Sequence, residues 1–108
     1  MHTQERTPSR ATTFIANRRV ELERIEAQLA EWTALIGQYR ASARRVETLA
    51  RAELDAITDE LQLRRNEAGA QVMRLKGSAD AEWEHEKAQL ERAWQAVRSS
   101  FQKARDRF

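Results

Sequence analysis

The chain has 108 residues, enough for one domain. Ala, Glu, Lys, Leu and Arg make up 59 of them, an excess that belongs to long helices and coiled coils. The 19 basic residues face 17 acidic ones, a balance that leaves little long-range field for nucleic acid, and the absence of cysteine excludes disulfides, thiolate chemistry and cysteine-built zinc sites.

Proline occurs once, at Pro8, and glycine only at Gly37, Gly69 and Gly77, so little forbids helix between Ser9 and Phe108. Leu, Ile, Val and Phe number only 20, which is lean for a compact core. The composition therefore predicts an elongated all-α protein that gains much of its burial from helix pairing between chains. The N-terminus has no apolar stretch of the signal-peptide kind, and no apolar run approaches the roughly 20 residues of a membrane span. A cytoplasmic location is the expectation.

Residues 1–8 read as a disordered polar tail. Ser9, Thr12 and Thr13 are candidate helix N-caps. From Leu22 a heptad row runs through Ile25, Leu29, Trp32, Ile36, Tyr39, Ala43, Val46 and Ala50, the spacing of a coiled-coil seam. The next step falls on Glu53, and there the register changes. Val46, Ile57, Ala68, Ala79, Leu90 and Phe101 are spaced by eleven, as are Leu61, Val72, Trp83 and Trp94. Leu75, Val97 and Phe108 mark a third such row. An eleven-residue repeat runs almost straight along a helix, whereas the heptad half should supercoil.

Charge alternates in blocks: 21–31 carry −3, 40–51 carry +3, 53–60 carry −4, 64–76 carry +3, 80–91 carry −4 and 92–107 carry +4. Antiparallel pairing sets unlike blocks side by side. The best place for the chain to fold back is Gly77-Ser78, with Gly77 left-handed at one helix end and Ser78 capping the next. Asp80, Glu82 and Glu84 would complement that helix start, and Arg98, Lys103, Arg105 and Arg107 its end. Gly37 and the stretch 66–69 are weaker breaks. The expected fold is one helix from about Ser9 to Lys76, roughly 100 Å long, and a second from about Ser78 to Arg107 folded against it as an antiparallel hairpin, with a single continuous helix as the alternative. The shorter helix covers less than half of the longer, so the seam from Leu22 to Val46 is expected to require a second chain, in a homodimer or higher oligomer.

No catalytic, cofactor-binding or metal-ligating constellation is legible, and no cofactor is expected. His85 begins a His-Glu-Lys-Ala-Gln run whose fifth position is Gln89 rather than a second histidine, so it reads as a solvent-facing histidine. Carboxylate pairs such as Asp59/Glu60 and Glu84/Glu86 lie on charged helix faces without a cleft. Arg44-Arg45 and Arg64-Arg65 sit beside acidic blocks and read as solvated faces rather than phosphate contacts. Trp83 and Trp94 read first as anchors of a helix–helix interface, and second as residues that could sit at a lipid boundary. The residues assigned to helix packing are Leu22, Ile25, Leu29, Trp32, Ile36, Tyr39, Val46, Ile57, Leu61, Val72, Leu75, Trp83, Leu90, Trp94, Val97, Phe101 and Phe108.

The C-terminal third carries Gly77-Ser78, Ala81-Glu82-Trp83, Lys87, Ala93-Trp94 and Phe101, ending in Phe108. This stretch resembles the tail of a family of small bacterial coiled-coil proteins, some of them stress-response proteins, in which two Ala-Trp pairs follow a small-residue break. It departs from that pattern in having Glu82 where alanine is usual and in favouring arginine over lysine. The resemblance implies a helical scaffold or interaction protein with a stress-related role, and transfers no catalytic residue. The reading is thus a non-enzymatic coiled-coil scaffold, with a peripheral membrane-surface binder as the alternative and a nucleic-acid partner disfavoured.

Overall fold

In a computed structural model of the chain, residues 10–108 are described, with side chains from Phe14 onward. The expected tail over 1–8 and the candidate cap Ser9 lie outside the described residues; Thr12 and Thr13 fall inside α1 and so do not cap its start. The fold is elongated and all-α, with three helices: α1 over Arg10–Ala43, α2 over Thr48–Lys76 and α3 over Trp83–Arg107, the last preceded by one 3₁₀ turn at Asp80–Glu82.

The single long helix expected up to Lys76 does not form, because the chain turns back at residues 44–47. There the Arg45 and Val46 N–H groups donate to Ser42 and Ala43 carbonyls at 3.1 and 3.4 Å, and Glu47 is extended (φ −66°, ψ 158°) before α2 begins. The Arg51 guanidinium donates to the carbonyls of Arg44 (3.1 Å) and Val46 (3.0 Å), answering acceptors that a helix end leaves bare. No glycine or proline marks this turn. What favours it is burial: each large side chain of α1 removed from water is worth about 1.5–3 kcal/mol, more than the few helical hydrogen bonds given up.

The second turn falls at Gly77-Ser78, as the sequence predicts, but is closed differently. Gly77 has φ −89° and ψ 1°, not the left-handed conformation, and no described residue has positive φ. Ser78 does not cap the following helix; its hydroxyl donates backward to the Leu75 carbonyl at 2.7 Å. Ala79 then runs extended (φ −70°, ψ 158°) into the 3₁₀ turn. Arg18, from the far end of α1, donates to the Leu75, Lys76 and Ser78 carbonyls at 3.2, 3.2 and 2.6 Å. With those carbonyls satisfied by a guanidinium and a hydroxyl, a left-handed glycine has nothing left to do.

α2 runs back along α1 and α3 back along α2, so α1 and α3 are parallel. The core is formed by Leu29, Trp32 and Ile36 of α1, Leu61, Ala68, Val72 and Leu75 of α2, and Trp83, Leu90, Trp94, Val97, Phe101 and Ala104 of α3. Small residues let α2 approach both neighbours. At Gly69 an added Cβ would lie 3.1 Å from the Arg65 guanidinium and 3.7 Å from Leu29. Among the described residues, by contrast, no Cα of α1 comes within 8 Å of a Cα of α3.

Candidate functional site

Aromatic rings fill the gap between α1 and α3. Trp32 and Tyr39 are seven residues apart on α1, and Trp94 and Phe101 on α3 and Phe108 just past its end follow the same spacing of seven. The two rows interlock: Trp32 lies between Trp94 and Phe101 at ring-centroid distances of 4.5 and 6.0 Å, and Tyr39 between Phe101 and Phe108 at 6.2 and 4.7 Å. Two turns of helix advance about 10.5 Å, room for one ring inserted between successive rings of the opposite row. At the other end Phe14 meets Trp83 edge-on at 6.3 Å, and the Arg18 guanidinium sits 4.5 Å over the Trp83 ring. Offset and edge-on arrangements suit the ring quadrupole, and the cation adds to it.

Of the residues assigned to helix packing, eleven are buried in this one core, and Leu22, Ile25, Tyr39 and Ile57 pack partly buried against it. Val46 falls in the first turn, half-buried, and Phe108 stays 40% exposed at the end of the aromatic row. The seam from Leu22 to Tyr39 therefore meets α2 and α3 of its own chain, which removes the ground on which a second chain was expected there. Sequence reasoning missed three contributors. Arg18 and Arg51 read as ordinary surface cations, and Phe14 precedes the recognisable heptads. The common seven-residue spacing of the two aromatic rows was legible but went unused, because the turn at 44–47 that brings them together was not.

The buried polar groups are satisfied. Gln71 donates to the Glu86 carbonyl at 3.1 Å and to its carboxylate at 2.8 Å, and accepts from Arg74 at 3.1 Å. Thr58 donates to the Leu54 carbonyl at 2.8 Å. Ion pairs join all three helices: Glu21–Lys87 (2.6 Å), Glu26–Lys76 (3.0 Å), Arg40–Asp59 (3.2 Å), Glu60–Lys103 (3.2 Å) and Glu53–Arg107. The hydrogen bond from Lys103 holds Glu60 below its ordinary value of 4.5, against the opposing effect of burial. The hydrogen bond to Glu21 raises Lys87 above its ordinary 10.5, again against desolvation. His85 is exposed, and among the described residues no three His, Asp or Glu side chains converge on a point that could hold a metal ion.

Besides the exposed Ile15 and Val20 of α1, two surfaces remain. One is an open groove of about 670 Å³ along the outside of the aromatic row, floored by Trp32, Leu35, Tyr39 and Phe101 and rimmed by Arg98 and Arg105. It offers aromatic rings, amides, the hydroxyl-bearing Tyr39 and Ser99, and guanidinium groups. The other is the outer face of α2. Leu49, Ala52, Ala56, Asp59, Leu63, Asn66, Ala70 and Met73 alternate by three and four along it, all exposed, with Leu49 at 91%, Leu63 at 51% and Met73 at 66%. Among the described residues no helix is long and apolar enough to cross a membrane. No protein-family model, curated protein or solved structure matches the chain.

Proposed function

We propose that this is a non-enzymatic coiled-coil scaffold or interaction protein of the cytoplasm, acting through helix–helix contacts. The observation that carries this reading is the exposed row on α2. A coiled-coil spacing of apolar and small residues, interrupted here by Asp59 and Asn66, exposes apolar surface to water and is the ordinary signature of a face that meets another helix. The resemblance of the C-terminal third to small bacterial coiled-coil proteins supports the same reading and adds a stress-related setting. The alternative, binding to a membrane surface through α3, is disfavoured because Trp83, Trp94 and Phe101 are engaged in the core. Lipid insertion would require α3 to leave α1 and α2.

The test is a photo-reactive amino acid placed at Leu63 of the full chain in cells, with Arg92, exposed on a charged stretch of α3, as control. Protein adducts at position 63 and none at 92 are expected. Failure to cross-link at 63 would overturn the reading. So would co-sedimentation with anionic vesicles accompanied by a blue shift of tryptophan emission, which would transfer the function to the alternative.

A further inference from the structure

We infer that the turn at residues 44–47 is a hinge, and that opening it joins α1 and α2 into one helix whose α1 half seats on α2 and α3 of a second copy. The product is a domain-swapped dimer. In the single chain α1 is sheltered by its own α2 and α3; the swapped arrangement keeps those contacts and changes only the turn. The inference goes beyond a helix-contact role by naming the partner, and it does not involve the outer face of α2.

Helical phase is the first support. The turn holds neither glycine nor proline, and no described residue has positive φ. Placed on one straight helix at about 100° per residue, the buried Trp32, Ile36 and Ala43 of α1 and Leu61, Ala68 and Val72 of α2 all fall within about 20° of one line. Val46, Ala50, Leu54 and Ile57 carry that stripe across the turn in steps of four, four and three. A hairpin does not require its two stripes to agree in phase; a helix that also runs straight through does. Little holds the turn shut. Every residue from Arg44 to Glu53 is exposed except the half-buried Val46. Closure rests on Arg45 and Val46 donating to Ser42 and Ala43, and on Arg51 donating to the carbonyls of Arg44 and Val46. In a continuous helix those carbonyls, and the first N–H groups of α2, find helical partners.

Register is the second support. α1 and α2 pair antiparallel through Glu26–Lys76, Leu29 beside Gly69, Thr33–Arg65 and Arg40–Asp59. If α1 continues as helix past Ala43 in the same register, Arg44 comes to Asp55 of the other copy, and Glu47 and Arg51 of the two copies meet about the two-fold axis. In the single chain Arg44, Glu47 and Asp55 have no ion-pair partner among the described residues. Between two copies both meetings join unlike charges, and symmetry makes each of them twice.

Sedimentation after refolding at high protein concentration tests this, with circular dichroism showing that each chain is helical. The unaltered chain is expected to give a species of twice 12.6 kDa and none larger, since exchange of α1 between two copies closes on itself. Thr48→Pro is expected to stay at 12.6 kDa. Thr48 opens α2 behind an extended Glu47 (ψ 158°), a place that suits proline in the turn, whereas in a continuous helix the same ring meets the Arg44 carbonyl. Its association should be at least about 100-fold weaker. The chain has no cysteine, so Arg40→Cys and Asp59→Cys chains, refolded together and oxidised, report the exchange directly. A covalent dimer with one of each is expected, because Arg40 of one copy lies beside Asp59 of the other. Leu63→Arg, on the outer face of α2, should dimerise like the unaltered chain. A chain that stays monomeric after refolding at every concentration, a folded Thr48→Pro that dimerises equally, a dimer lost in Leu63→Arg, or a dimer without the cross-link between positions 40 and 59 overturns the inference. If Thr48→Pro does not fold, the cross-link decides alone.

Discussion

Arg18 holds groups 57 to 62 positions away in the chain, and nothing in its neighbourhood sets it apart from Arg19 beside it. Its side chain is 14% exposed, and it satisfies three carbonyls at the end of α2, pairs with Asp80 at 2.9 Å and covers Trp83. Arg18→Met keeps much of the stem but leaves those acceptors bare, so stability should fall by about 1–3 kcal/mol, read as a lower urea midpoint. Unchanged stability would mean that water serves the carbonyls equally well. Gly77 makes the complementary point. A left-handed glycine replaced by alanine destabilises, but here φ is −89° and the new Cβ would meet only the Met73 carbonyl at 3.5 Å. Gly77→Ala is therefore expected to be neutral or to stabilise by up to about 1 kcal/mol, and a drop in melting temperature would argue against the observed turn.

At the scale of elements, the heptads from Leu22 to Tyr39 and the eleven-residue rows from Ile57 to Phe101, apart from Ala79, which is exposed in the second turn, identify the buried stripes of all three helices, because side-chain periodicity is a property of the helix itself. The break at Gly77-Ser78 was legible from composition. The break at residues 44–47 was not, although the heptad phase fails close by, between Ala50 and Glu53. A phase change reads equally well as a change of supercoil, and without glycine or proline the local sequence does not choose. The aromatic row depends on that turn. Trp94→Ala removes the ring next to Trp32 and should cost about 3–5 kcal/mol in chemical denaturation. The double variant with Trp32→Ala should cost less than the two single losses added, since the rings touch at 4.5 Å. Strict additivity would show that the rows do not act together.

Across the whole molecule, the charge blocks pair as antiparallel neighbours do, with Glu26 on Lys76, Asp59 on Arg40, and Glu60 and Glu53 on Lys103 and Arg107. Folding at Gly77-Ser78 sets acidic 53–60 against basic 92–107, where ion pairs form, and acidic 80–91 against basic 64–76, between which none forms among the described residues. The blocks did not anticipate Glu21–Lys87, which joins the parallel pair α1 and α3. Glu60 titrates lower in the folded chain, so its contribution is present above pH 4.5 and is lost as pH falls through the lowered value. Lys87 titrates higher, so its contribution is present below pH 10.5 and is lost as pH rises through the raised value. Both groups are partly exposed and screened, so the effects are small. Glu60→Gln should flatten the acid limb of a melting-temperature profile, and Glu21→Gln the alkaline limb. An acid limb unaltered in Glu60→Gln would show that its pair with Lys103 contributes nothing measurable.

Helix content, the stripe that each helix hides and the sign of its charge blocks follow from composition and spacing, because they are written within a few turns of chain. The number of helices and the parallel pairing of α1 with α3 do not follow. Nor does the choice between sheltering the Leu22–Tyr39 seam in another molecule and in this one. Those were settled by contacts between residues some sixty positions apart, Trp32 with Trp94 and Arg18 with Ser78. Their free energy appears only once the chain has turned twice, so no local pattern could announce it.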